Sequence, residues 1–312
     1  MQKSIPWYVD SSPIRRWLRA MEAAGEEAAA WEKIDAWKRM VDDAGVVKTA
    51  RDGRIGRVEL CFHQKGNALV PPLYGLFTDA MRRLSEDDDI WVIVITGTGK
   101  HFCTGGYVGR DAFYAGLDAG AQASAAEPMR RTFTELFQSI QRSVYECEKP
   151  VIAMLNGLTA AEAVDLVLCA DIRTGHADSD LWFSYGYTGN TAYAGAAWLL
   201  PRMVGVSEAK RILLTAERVT GTRAHQLGLI TTFAERETLE GETMALAERI
   251  AGLPPVTLRL IKKEIHRDLE IGSFLSSLDV TSMIEPIVQF TQDHMDAENA
   301  ILEKRKPVVK GY

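Results

Sequence analysis

The sequence predicts a mixed α/β fold. Two short, continuous apolar runs rich in β-branched residues, Trp91–Ile95 and Val151–Leu155, read as strands buried on both faces. Helical periodicity follows each of them, and strand, strand, helix recurs without a detectable sequence repeat. Of the 312 residues 46% are hydrophobic, which is ample for a core in one or two compact domains.

In chain order, Ser12-Pro13 supplies a helix start, with serine able to cap and proline tolerated at the first helical position. Trp17, Met21, Trp31, Ile34, Trp37 and Met40 recur at helical intervals, and Gly25 divides two helices of an amphipathic arm over residues 1–48. Arg57–Phe62 reads as a strand and His63–Asn67 as a loop. Pro72 opens a helix through Leu73, Phe77, Met81 and Leu84. The Trp91–Ile95 strand ends at the turn Thr96–Gly99. A small-residue loop over 116–126 precedes a long helix, Met129–Tyr145, and Lys149-Pro150 introduces the Val151–Leu155 strand. A helix over Ala161–Cys169 leads into Asp171-Ile172-Arg173. After Ser207 the chain reads as almost entirely helical, with Thr222 the N-cap of a helix stopped by Gly228. The core is bounded at 49–255 and a C-terminal helical region at 256–312.

Bulk properties exclude several classes. A net charge of −6 argues against a nucleic-acid partner. The sequence holds no run of 18 apolar residues and no secretory signal, so no membrane partner is expected and the cytoplasm is the default. Cys61, Cys103, Cys147 and Cys169 lack CxxC spacing and read as reduced thiols. The six histidines show neither HxxxH nor HExxH, so no metal is expected; His101 stands out only for its place beside a glycine-rich loop. Gly97-Thr98-Gly99 lacks the final glycine of a dinucleotide fingerprint, and neither a P-loop nor a GxSxG elbow occurs.

Three stretches carry the chemistry. They are Gly97–Gly106, containing Phe102-Cys103-Thr104-Gly105-Gly106; Lys149–Asp165 with Cys169-Ala170-Asp171-Ile172; and Glu303–Pro307. Gly66-Asn67-Ala68-Leu69, Leu200–Gly205 and Ala224–Ile230 support them. In this order and spacing the chain resembles the crotonase (enoyl-CoA hydratase/isomerase) superfamily over about residues 50–312. The resemblance implies a spiral of ββα units, C-terminal helices that associate into a homotrimer or dimer of trimers, and an acyl-CoA thioester substrate. No separate cofactor is implied, coenzyme A being part of the substrate.

The resemblance also implies site residues. The N–H groups of Gly106 and Glu162 form an oxyanion hole for the thioester oxygen, where fixed dipoles stabilise developing charge. Lys65, Asn67, Ala68, Phe102, Thr104, Lys304 and Lys306 take the CoA-binding positions. Ala161-Glu162-Ala163 replace the family's three glycines, so any position there needing φ > 0 is strained. The Glu162 side chain either enters the site as a base or leaves it for a salt bridge. Asp165 stands at the first of the hydratase's two glutamates and Tyr185 at the second. Tyr193 holds the slot of a catalytic aspartate in other branches, and Tyr185, Tyr187 and Tyr193 are candidate proton donors. Phe113-Tyr114-Ala115-Gly116 and the Phe102–Gly106 stretch look most like ring-opening hydrolases of alicyclic β-keto thioesters and, more distantly, dihydroxynaphthoyl-CoA synthase. Hydrolytic, retro-Claisen cleavage of a cyclic β-keto acyl-CoA is the expectation. The alternatives are a hydratase or isomerase with a non-standard carboxylate set, and a crotonase-fold binding protein without catalysis.

Overall fold

The computed structural model describes residues 12–23, 25–108, 130–270 and 272–312. The expected loop over 116–126, the Phe113–Gly116 stretch and Met129 lie outside these residues.

Helices α1 (Ser12–Ala23) and α2 (Glu27–Ala44) are parted at Gly25, whose φ of 79° suits glycine. Their apolar stripe, including Ile14, Trp17, Met21, Ile34 and Trp37, joins the same core as the sheet. A six-stranded sheet follows, in the order β1 (Val47–Asp52), β2 (Ile55–Leu60), β3 (Val92–Gly97), β5 (Val151–Leu155), β7 (Ile172–Gly175) and β10 (Thr232–Phe233). Only β1 runs antiparallel to its neighbour; Val58 pairs with Ile95, and Ile95 with Ala153. A four-stranded sheet collects β4 (His101–Cys103), β6 (Leu158–Ala160), β8 (Leu181–Trp182) and β9 (Arg218–Val219). The chain thus lays one strand in each sheet per turn: β3 then β4, β5 then β6, β7 then β8. This is a ββα spiral.

The buried strands obey a period of two on both faces. Ile93 and Ile95 turn into the main core, towards α3 (Pro71–Glu86) with its Leu73, Tyr74, Phe77 and Met81. Val92 and Val94 turn into a second cluster with Ile152, Leu239 and Ala247. The remaining helices are α4 (Ser139–Tyr145), α5 (Glu162–Leu168), α6 (Tyr185–Thr188), α7 (Ala196–Val204), α8 (Val206–Thr215), α9 (Gly221–Gln226), α10 (Leu239–Ala251), α11 (Pro255–Asp268), α12 (Phe274–Gln289) and α13 (Gln292–Glu303).

Two expectations change in detail. The helix expected up to Tyr145 is not regular: residues Phe133–Phe137 form a π-helical turn before α4. The N-cap of α9 is Thr220 and not Thr222, because the Thr220 hydroxyl accepts the Arg223 N–H at 3.3 Å.

Candidate active site

Two segments at the C-terminal ends of β4 and β6 form the site. Asn67 holds the first from within, its Nδ2 donating to the carbonyls of Thr98 (2.9 Å), His101 (2.8 Å) and Phe102 (3.1 Å). Gly105 follows at φ 84°, where a Cβ would lie 2.7 Å from the Ala160 carbonyl and 2.8 Å from Ala161 Cβ. Only glycine lets these two backbones meet. The Leu69 N–H donates to the Gly105 carbonyl (2.8 Å) and the Tyr107 N–H to the Leu69 carbonyl (3.0 Å). The intervening Gly106 N–H, on an exposed residue, donates to no acceptor among the described residues.

The second loop ends at Ala161, with φ 49° and ψ −132°, a conformation glycine adopts freely and alanine does not. Its N–H donates to the Trp182 carbonyl at 2.9 Å, and its carbonyl accepts the Val164 N–H at 2.9 Å. This turn leaves the Glu162 N–H, the first of α5, with no acceptor among the described residues. Two N–H groups without an acceptor among the described residues, one of them at a helix N-terminus, therefore lie on loops that touch at Gly105 and Ala161, an arrangement suited to an oxyanion hole.

The Glu162 side chain turns towards Gly106. A Cβ at Gly106 would stand 3.6 Å from Glu162 Oε2. The carboxylate is buried and accepts two phenols, the Tyr74 hydroxyl on Oε1 and the Tyr193 hydroxyl on Oε2. An acceptor pair facing two donors suits the ionised form. Burial works the other way and pushes the Glu162 carboxyl up to about 7, the phenols pulling it back and Asp165 adding to the rise. Burial and the neighbouring Glu162 hold the Tyr74 phenol well above its ordinary value, so it stays a neutral donor. The alternative of an outward salt bridge for Glu162 is thereby ruled out.

Asp165, one turn further along α5, is fully buried. Its Oδ2 accepts the Tyr185 hydroxyl at 2.6 Å and its Oδ1 the Ala196 N–H at 2.5 Å. Burial raises its carboxyl to about 7 against those two hydrogen bonds.

Other expected site residues separate. Tyr187 does not join the Glu162 cluster: it is 78% exposed, its ring 5.8 Å from that of Trp182. Tyr185 is tied to Asp165 and to the Ala161 carbonyl (3.2 Å). The Asn67 side chain is consumed in holding the loop, and Phe102 is wholly buried in the core. Lys65 is exposed on a loop where Gly66 abuts Thr104, whose N–H donates to the Gly66 carbonyl (3.0 Å), with the buried Ala68 just beyond. Lys304 and Lys306 are not brought to this loop within the chain. They lead into a tail whose Val309 carbonyl meets Arg54 at 3.5 Å and whose Gly311 packs on Trp91, at the opposite end of β2 and β3.

Tyr74 went unnoticed in the sequence. The signal was there, since a tyrosine on the core-facing stripe of a helix needs a partner for its hydroxyl. Gln141 was likewise missed; it is buried on α4 and its Nε2 donates to the Glu162 carbonyl at 3.2 Å.

Comparison with known proteins adds three findings. The family model described as enoyl-CoA hydratase/isomerase matches residues 51–311. Among similar proteins, the peroxisomal Delta(3,5)-Delta(2,4)-dienoyl-CoA isomerase of Arabidopsis thaliana is 29% identical over 246 residues, 77% of this chain and 87% of its own. The crotonyl-CoA hydratase of Syntrophomonas wolfei is 28% identical over 232 residues, 73% and 84% of the two chains. Among solved structures, a probable enoyl-CoA hydratase/isomerase from Mycobacterium abscessus superposes with a TM-score of 0.75 at 28% identity, covering 85% of this chain and 99% of that one.

Proposed function

We propose, from the premise that this chain belongs to the enoyl-CoA hydratase/isomerase family, that it is an acyl-CoA isomerase in which Glu162 moves the proton. The observation that carries this reading is the buried Glu162 carboxylate, facing Gly106 between two phenols. The Gly106 and Glu162 N–H groups receive the thioester oxygen. The Glu162 carboxylate removes a proton from the carbon next to the thioester of a 3-enoyl-CoA, and the electron pair moves onto that oxygen. Protonated Glu162 then returns the proton to the far end of the conjugated system, giving the 2-enoyl isomer. One carboxylate with a pKa near 7 is matched to both half-reactions. Lys65 and Thr104 lie on the loops we assign to the CoA end.

A second reading, hydration of a 2-enoyl-CoA, is favoured by one observation: Asp165 is also raised to about 7, three residues along the same helix. Against it, both Asp165 oxygens already hold donors. The hydrolytic ring opening expected from the sequence is the weaker reading, because the similar proteins are named as isomerases and hydratases.

Turnover by mass spectrometry separates the three. Panels of 3-enoyl-, 2-enoyl- and cyclic β-keto acyl-CoAs are offered in H₂¹⁸O and, in parallel, in D₂O. An isomer of unchanged mass in H₂¹⁸O from the first panel is expected. A hydroxyacyl-CoA from the second would move the assignment to hydration, and ¹⁸O in a new carboxylate from the third would restore ring opening.

A further inference from the structure

Glu162 has more freedom than its role allows: three side-chain torsions separate its carboxylate from the helix, and no cation among the described residues holds it. What holds it is the pair of phenols, and the two differ. Tyr193 sits on the loop before α7, is half-buried, and rests edge-on against Phe133 with ring centroids 5.1 Å apart. Tyr74 is on the long helix α3, is 1% exposed, and takes the edge of Phe137 at 5.5 Å. The helix behind it is fixed in turn. Within one core, α2 packs on α3, and α1 packs on the π-helical turn that carries Phe133 and Phe137. That turn brings two aromatic rings onto the two phenols at once, a placement of the kind for which π-helical turns recur beside functional sites.

We propose that Tyr74 is a positioning residue, the fixed arm of a phenol clamp that holds the Glu162 carboxylate against Gly106. The helical arm preceding the family-matched region backs this clamp. The proposal deepens the isomerase reading and rests on it for the identity of the reaction. Tyr74 touches no substrate atom in this scheme. It acts through Glu162 by denying the carboxylate other rotamers and by donating to its ionised form. Replacing the hydroxyl by hydrogen leaves the ring, and so the packing, in place.

The test follows the Glu162 carboxyl carbon by NMR in ¹³C-labelled protein without substrate, with Glu162→Gln assigning the signal. Tyr74→Phe is expected to shift the Glu162 midpoint upward by roughly one unit or more, the effect of losing a charge-assisted hydrogen bond. It is also expected to lower kcat more than it raises KM. Tyr193→Phe shifts the midpoint the same way. A midpoint unmoved in a folded Tyr74→Phe protein would reduce Tyr74 to packing and overturn the proposal. Should that variant fail to fold, the wild-type Tyr74 ring-carbon resonance decides: it tracks the Glu162 titration if the clamp exists and ignores it otherwise. Because neither NMR readout uses substrate, failure to isomerise any acyl-CoA would sink the isomerase reading alone.

Discussion

The Tyr185 hydroxyl donates to Asp165 Oδ2 at 2.6 Å, while Oδ1 of the same carboxylate takes the Ala196 N–H at 2.5 Å. One carboxylate thereby ties α5 to α6 and to the start of α7. Asp165→Ala leaves the buried Ala196 N–H without a partner, reduces the Tyr185 hydroxyl to its longer bond with the Ala161 carbonyl (3.2 Å) and opens a hole beside both, each unmet polar group costing up to about 1–3 kcal/mol. Urea unfolding is expected to show a loss of about 2–5 kcal/mol. Tyr185→Phe removes one donor from an acceptor that keeps the other, and is expected to cost less. Equal losses from the two substitutions would contradict this account of Asp165 as the node of the network.

Activity and stability should respond to pH in opposite directions. In the isomerase we propose, Glu162 takes the proton only when ionised, so kcat/KM is expected to rise with pH through about 7. Asp165 is raised to about 7 as well, so the midpoint belongs to the pair. For stability, both folded values lie above those of the unfolded chain, about 4.3 for Glu and 3.9 for Asp. The folded protein therefore holds protons that the unfolded chain has released. This contribution is complete below the unfolded values and is lost as pH rises through about 7. Melting curves of wild type and Glu162→Gln, compared across that window, isolate the Glu162 share. A wild type that gains on the variant as pH rises would reverse the sign and refute the burial of an unmatched carboxyl.

Ala161 occupies a glycine conformation, φ 49° and ψ −132°, in order to aim the Glu162 N–H. Such a residue stores about 1–3 kcal/mol. Ala161→Gly relieves it, less the roughly 0.5–1 kcal/mol of extra freedom glycine gives the unfolded chain. A net gain of about 1 kcal/mol in unfolding free energy is expected, with the oxyanion loop and its activity retained. A destabilised Ala161→Gly protein would mean that the turn is held by something other than strain borne at this residue.

The strands were legible because burial on both faces writes itself as apolar β-branched runs, as in Val151–Leu155, which forms β5 over the residues expected; the spiral followed from the family resemblance. The glycine pair Gly105-Gly106 was legible as a special turn, and Gly105 is indeed required where two backbones touch. What escaped the sequence depended on side-chain direction. Nothing in Ala161-Glu162-Ala163 says which way Glu162 turns; that is decided by Tyr74, 88 residues away, and Tyr193, 31 residues away. Tyr187 failed for the same reason. Two positions from Tyr185 on a four-residue helix it faces the other side, and composition alone makes the two phenols equivalent.

The C-terminal helices carry apolar side chains that the described residues of one chain leave uncovered. Phe274, Leu275 and Met283 of α12 are 75%, 71% and 72% exposed, Phe290 beyond it 84%, and Ile301 and Leu302 of α13 77% and 81%. Large apolar side chains exposed together on neighbouring helices mark an association surface. The homotrimer or dimer of trimers expected from the sequence would bury them, and light scattering is expected to give three or six times the 34.6 kDa chain mass. Lys304 and Lys306, which lie away from this chain's own Lys65 loop, would then be free to approach a neighbour's. Phe290→Asp, just beyond α12 and outside the Glu162 clamp, is expected to lower the assembly state. A monomeric wild type at micromolar concentration would leave the apolar face to some other partner and remove the trimer from this account.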